Sequence, residues 1–256
     1  MSINTESDDE NVIEEPNKNI YIIPTSHVSE ESSNKVHSMT EKINPDLIAV
    51  ELDEQRFKKL KSDSESKTSV KKILKHNNLG LKGKIMLISF SKFQSVIAKR
   101  LGIDLIGLDM MAGYEESQKR NIPLALVDQD MNITFNRFTN EITFRELFKT
   151  LISFIISYIH ISRKSEEELK NEVSSENINV AEVIEQIENI FPTFKKVFLD
   201  ERNEVITEKT AEIAKQFDDT ILVIGAAHEP GVRDLFEEKH KNINVKKLPD
   251  EEPIEE

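Results

Sequence analysis

The chain has 256 residues, 38% hydrophobic and 32% charged, enough apolar material for one large domain or two small ones beneath a very polar surface. A net charge of −13 argues against nucleic acid as a partner and disfavours an anionic membrane surface, because phosphate binding needs a basic face. There is no cysteine, which excludes disulfides, thiolate metal sites and a cysteine nucleophile.

Residues 1–19 are acidic and polar and read as a disordered tail. They lack the positive start and apolar core of a signal peptide. Ile20–Ile23 reads as a strand. A helix is expected from Ser29, capped by Ser29 or Ser32, with Val36, Met39 and Ile43 on one face. Asn44-Pro45 stops it. Asp46–Leu52 is nearly continuous in apolar residues, the pattern of a parallel strand covered on both faces. Glu54–Lys61 is expected to be helical with Phe57 and Leu60 inward, and Lys61–Ser69 is a Ser-rich loop. Met86–Arg100 reads as an amphipathic helix, with Leu87, Phe90, Ile97 and Leu101 forming its stripe. A strand is expected at Ile103–Leu108, a helix at Met110–Arg120, and a strand at Ile122–Val127 after the turn-like Arg120-Asn121. Strands alternating with helices indicate an α/β fold: a mostly parallel central sheet flanked by helices.

The middle changes character. Phe144–Ile161 is a long aromatic and aliphatic helix. Its apolar part, Leu151–Ile161, is interrupted by Ser153, Ser157 and His160 and falls short of the roughly 20 residues of a membrane span. It reads as core or as a subunit contact, and an exposed face there would favour a homodimer through 144–161 or membrane contact. Arg163–Asn177 is a charged linker, Val180–Ile190 a helix, and Thr193–Phe217 reads as one long helix after Pro192. Ile221–Ile224 is a strand, Val232–Lys239 a short helix, and 249–256 an acidic tail. The expectation is one α/β domain over 20–248 with a helical insertion from about 132 to 217, in a soluble, cytoplasmic protein.

In a parallel sheet, ligands bind beyond the carboxyl ends of the strands. Here those ends carry chemistry: His27 after the first strand, Glu51 closing the second, Asp128 and Asp130 after Ile122–Val127, and His228 after the last. Gly225-Ala226-Ala227 lets the backbone turn tightly and approach a ligand. Two imidazoles and a carboxylate suit a divalent metal with open positions, which would activate water or polarise a carbonyl. The same residues suit metal-free chemistry, with a histidine as general base oriented by the carboxylate. A buried Glu51 needs a cation or hydrogen-bond donors, and Arg56 lies close enough in the chain to supply them. Asp128 and Asp130 equally suit turns or helix caps. Arg137 and Arg202 equally suit an ion-pair network with Glu51 or Glu201. His37, His76, His160 and His240 have no partner spacing and read as surface or packing residues.

Four blocks of residues carry a resemblance. The first runs from Pro24-Thr25-Ser26-His27-Val28-Ser29 through Asn44-Pro45-Asp46 to Val50-Glu51-Leu52-Asp53 and Arg56. The second runs from Gly107-Leu108-Asp109-Met110 through Asp128-Gln129-Asp130 to Thr134 and Arg137. Phe191-Pro192 with Asp200-Glu201-Arg202-Asn203 is the third, and Gly225-Ala226-Ala227-His228-Glu229-Pro230-Gly231 the last. In this order they resemble the TraB/PrgY family, related to the Tiki proteases and more distantly to the GumN group. The resemblance implies that the two histidines share one site. Its Tiki branch implies peptide hydrolysis dependent on a divalent metal (Mn, Co or Zn), and its PrgY branch implies control of a peptide pheromone. It makes His27, Glu51, Arg56 and His228 the central candidates, with Arg137, Glu201 and Arg202 behind them. Many relatives carry a hydrophobic C-terminal region, so it also implies membrane association. Three positions depart from the pattern: Pro24 replaces Gly, Gln129 replaces Arg, and Asp109 replaces Glu.

The leading expectation is therefore a metal-dependent hydrolase acting on a peptide, with His27, Glu51 and His228 as ligands and Arg56 as orienting or oxyanion-binding group. The rival is a regulatory protein that binds a peptide or small ligand in the same cleft without turnover. A haem or metal carrier is a third reading.

Overall fold

The computed structural model describes residues 18–25, 30–61, 108–149 and 191–249, with single positions 152, 156, 185 and 188 between them. The expected N-terminal tail as far as residue 17, the C-terminal tail from residue 250, His27, the loop and helix over 62–100, the expected strand as far as 107 and most of 150–190 lie outside these residues. Lys18 and Asn19, expected in the tail, instead pair in the sheet, and Leu108, expected to close a strand, opens a helix.

Five strands form one sheet: β1 (Lys18–Thr25), β2 (Leu47–Val50), β3 (Leu124–Leu126), β4 (Asp219–Gly225) and β5 (Ile243–Lys246). The order across the sheet is β3-β2-β4-β1-β5, and every pairing is parallel. β4 sits in the middle, between β1 and β2, with Thr25 beside Gly225 and Val50 beside Val223. Parallel strands need crossover connections, which place helices on both faces. Among the described residues the cover comes from α1 (Glu30–Ile43), α2 (Glu54–Lys61), α3 (Leu108–Arg120), α6 (Glu201–Ala214) and α7 (Glu229–Lys239), while α4 (Met131–Glu141) packs against the segment that leads into α6. A single turn, α5 (Pro192–Lys195), precedes α6.

The period of two along each strand divides the core into two layers. Ile20, Ile22, Leu47, Ala49, Leu222 and Ile224 meet Ile206 and Ala211 of α6 and Val232 and Phe236 of α7. Ile23, Ile48, Val50, Ile221 and Val223 meet Val36 and Met39 of α1 and Met110 and Ala112 of α3. All these side chains are buried, and each fully buried aliphatic contributes about 1.5–3 kcal/mol. α1 and α3 end at Asn44 and Asn121, whose φ of 51° and 56° are left-handed stops that asparagine tolerates.

Pro24 is accommodated by register. The Thr25 carbonyl accepts the Ala226 N–H on the β4 side, so Pro24 faces the β5 side. β5 pairs only as far as Tyr21, so no ladder bond is lost there.

Two elements differ from the sequence reading. The expected continuous helix over 193–217 is interrupted by a π-turn at Lys196–Asp200 and ends at Ala214. The extra residue in that turn shifts the helix phase by about 100°. Val197 thereby packs with Phe138 of α4 and Phe194 of α5, while Arg202 and Asn203 turn toward the sheet edge. β5 was not expected. It is a short edge strand whose residues other than Ile243 keep contact with solvent, and it carries Lys246 at its end, which suits an edge.

Residues 144–149, 152 and 156 are helical. Phe144, Phe148, Ile152 and Ile156 recur every fourth residue and are 74%, 66%, 40% and 62% exposed, so this face looks outward. No helix among the described residues is long and apolar enough to cross a membrane.

Candidate functional site

Because the sheet is parallel, Thr25, Glu51, Asp128 and Gly225 all leave it on one edge. The Glu51 N–H donates to the Val223 carbonyl (3.0 Å), and the Leu52 N–H donates back to Val50 (2.7 Å). This tight turn sends the Glu51 carboxylate across toward β4, where Oε2 accepts the Gly225 N–H at 2.7 Å. Oε1 accepts a short charge-assisted bond from Arg202 Nη2.

Arg202 holds a second carboxylate as well. Asp128, just past β3, accepts from Arg202 Nε (2.9 Å) and the Gln129 N–H (2.7 Å) on Oδ1, and from Arg202 Nη2 (2.8 Å) and Arg56 Nη1 (2.7 Å) on Oδ2. Burial works against the Arg202 charge, but Glu51 and Asp128 more than offset it and raise its pKa above the ordinary value. Arg202 Nη1 also donates to the Phe198 carbonyl in the π-turn at 3.3 Å, so the distorted turn supports the guanidinium it aims.

The cation beside Glu51 is thus Arg202, and Arg56 instead bonds Asp128. The cause is local. Asp53 Oδ1 caps α2 by accepting the N–H groups of Gln55 (2.8 Å) and Arg56 (2.9 Å), and the first turn of α2 then directs Arg56 toward the end of β3. The Arg56 side chain is about a third exposed, and its Nε and Nη2 bond none of the described residues. Asp130 serves as the cap of α4, accepting the Asn132 N–H at 2.7 Å and the Gln55 side chain at 2.9 Å. Arg137 pairs with Glu201 (2.7 Å) and Glu141 (2.8 Å) on an exposed surface that ties α4 to α6.

His228 stands at the start of α7, buried to 4% exposure. Its Nδ1 lies 2.6 Å from Asn203 Oδ1, and its Nε2 lies 3.4 Å from Glu51 Oε1. The Thr25 hydroxyl at the end of β1 makes a short hydrogen bond to Asp109, which also accepts the Met110 N–H (2.9 Å) at the start of α3. His27 lies outside the described residues; the end of β1 that leads to it is beside Gly225. His37 joins α1 to Glu116 of α3 (3.0 Å), and His240 faces Glu208 (3.3 Å), both away from this edge.

A hydrogen on His228 Nε2 would make this 3.4 Å contact a donation to Glu51, whereas a lone pair there would set two acceptors face to face. That distance is also the edge of a tetrahedron whose centre is about 2.1 Å from each ligand, the bond length of a divalent ion to nitrogen or oxygen. Glu51 Oε1 has a second lone pair beside the one that meets Arg202. The two donors therefore fit such an ion in distance, while the Arg202 charge lowers its affinity. Among the described residues no group of three or more His, Asp or Glu side chains is arranged to hold a metal ion.

Sequence reasoning gave no role to Asn203 and placed Arg202 in the second rank. A signal existed. Helical spacing back from Ala214, Thr210 and Ile206 puts Arg202 and Asn203 on the buried face of α6, where polar residues require partners.

The fold is a three-layer α/β protein, and the candidate site lies at the carboxyl ends of its parallel strands, where such folds bind ligands. The chain belongs to the TraB/PrgY/gumN family, whose profile matches residues 11–245. It is 32% identical over 214 residues to an uncharacterized protein of Methanocaldococcus jannaschii, covering 83% of this chain and 52% of that one. It is 23% identical to a TraB domain-containing protein of Mus musculus and 22% identical to that of Homo sapiens, each match covering 86% of this chain and 63% of the relative. The chain thus spans about half to two thirds of the length of these relatives.

Proposed function

We infer that this protein is a hydrolase acting on a peptide, with a divalent cation (Mn, Co or Zn) held by His228, Glu51 and His27. The observation that carries the reading is the His228 Nε2 and Glu51 Oε1 pair, buried and 3.4 Å apart. When bound, the cation would supply an activated water and polarise the scissile carbonyl. The other roles belong to the chain. Arg202 fixes the Glu51 and Asp128 carboxylates and touches no substrate. Arg56, anchored through Nη1 by Asp128, turns its remaining N–H groups outward to meet negative charge developing on the carbonyl oxygen, or a substrate carboxylate. Control of a peptide signal is the biological role that follows from such an activity.

A second reading, binding of a peptide without turnover, is favoured by Arg202, which already neutralises Glu51 and opposes a cation beside it. Incubation of the full chain with a peptide library and added Mn²⁺, Co²⁺ or Zn²⁺ separates the two. Cleavage that disappears in His228→Ala and drops at least tenfold in Arg56→Gln supports the hydrolase. Retention of a peptide on the column without cleavage under any of the three ions supports the binding protein.

A further inference from the structure

Asn203 lies on α6 and His228 at the start of α7, and the two helices are packed side by side on one face of the sheet. Asn203 is 5% exposed and His228 4% exposed, so their polar atoms are satisfied from within the protein. The atom facing His228 Nδ1 at 2.6 Å is Asn203 Oδ1, which can only accept. Nδ1 must then carry a hydrogen. In the neutral ring this leaves Nε2 as a bare lone pair, directed at the Glu51 side of the site.

Gly231 explains how Asn203 reaches that position. It lies inside α7 with no left-handed backbone, so conformational freedom is not the reason for glycine there. A Cβ on residue 231 would fall well inside contact distance of Asn203 Nδ2 and 3.3 Å from its Cγ. Even alanine at 231 would displace the amide.

We propose that Asn203 is a positioning residue that holds His228 with its Nδ1 protonated and its Nε2 presented to the site, and that Gly231 is glycine to leave Asn203 room to do so. The proposal assigns a role to the third and last motif blocks jointly: the Arg202-Asn203 pair supplies one clamp for the carboxylates and one for the imidazole. It holds whether the site hydrolyses a peptide or only binds one, since it concerns the ring's hydrogen and not the reaction. A neutral histidine without a fixed partner favours the opposite tautomer, with the hydrogen on Nε2. There it would donate to Glu51, and no lone pair would remain for a ligand.

The test is long-range ¹H–¹⁵N correlation spectroscopy on the full chain labelled at histidine nitrogen, dialysed against chelator, at about pH 8.5, above the ordinary imidazole range. His228 is assigned by the signals missing from His228→Gln. The expected result is a protonated Nδ1 in the unaltered protein, and a majority of rings with bare Nδ1 in Asn203→Leu and in Gly231→Ala. A bare Nδ1 in the unaltered protein overturns the proposal, as does a fully protonated Nδ1 retained in both variants. Should Asn203→Leu fail to fold, Gly231→Ala and the unaltered protein decide the question. A chelated, metal-free sample makes the outcome independent of metal binding, so the hydrolase reading can fail while this assignment stands.

Discussion

Arg202→Met keeps much of the side-chain volume and removes the charge that two buried carboxylates share. It strips one charge-assisted bond from Glu51 and two from Asp128. Asp128 keeps Arg56 and the Gln129 N–H, and Glu51 keeps the Gly225 N–H. Removing one partner from a buried pair typically costs about 3–5 kcal/mol, because the other charge is left uncompensated. Arg56 limits the share owed to Asp128, so a loss of about 3–4 kcal/mol is expected, a large fraction of the ~5–15 kcal/mol that holds a domain folded. Urea unfolding followed by circular dichroism at pH 7 reads this as a midpoint lowered by about 1–2 M. Glu51→Gln in the Arg202→Met background removes the stranded charge, so the double variant should be less damaged than the sum of the two single variants by about 1–3 kcal/mol. A loss below 1 kcal/mol for Arg202→Met, or strict additivity in the cycle, would show that Arg202 is not the counter-charge of Glu51.

Further expectations concern sites away from this cluster. Burial pushes the Glu116 carboxyl up, but bonds from Arg120, His37 and Lys119 outweigh it and bring its pKa from 4.5 to about 2. A carboxylate depressed on folding stabilises above its unfolded value and loses that contribution as pH falls from about 4.5 toward 2. The stability gap between the unaltered protein and Glu116→Gln should therefore be present at pH 5.5 and narrow by about 1 kcal/mol by pH 3, after allowance for screening by water; a gap that does not change with pH would refute it. At Gly113 a Cβ would meet Val50 Cγ1 at 2.8 Å and Ile48 Cγ2 at 3.4 Å, so Gly113→Ala should cost about 1–2 kcal/mol despite its better helix propensity, and Val50→Ala should recover part of that loss in a thermal melt. If the outward row at Phe144, Phe148, Ile152 and Ile156 joins two copies, Phe148→Glu with Ile156→Glu should convert a dimer to a monomer in sedimentation equilibrium without lowering the melting temperature. A monomer at every concentration of the unaltered chain removes the dimer.

Much of the frame was legible because its signals are local. Leu47-Ile48-Ala49-Val50 is apolar at every position, and the structure covers that strand on both faces. Asn44-Pro45 and Arg120-Asn121 ended helices where the chain takes a left-handed residue. What escaped depends on distance. The choice of Arg202 over Arg56 as the partner of Glu51 is made across 151 residues, by a π-turn that contains neither glycine nor proline. The turn goes with the packing of Phe194, Phe198 and Val197 against α4, contacts that are distant in sequence. β5 carries one buried residue in four, too weak an alternation to stand out among charged neighbours. The pairing of Asn203 with His228 needed the spatial adjacency of two helices, which no periodicity encodes.

The central place of β4 has a consequence for how the protein is made. β1 and β2 are synthesised before β4, yet neither can hydrogen-bond this central neighbour until residues 219–225 have been made. Contacts of such long sequence separation are slow to form, and the two waiting strands are apolar on both sides. During that interval they present open edges to any other extended chain. Synthesis interrupted before residue 219 should accordingly yield aggregates rather than a smaller folded unit.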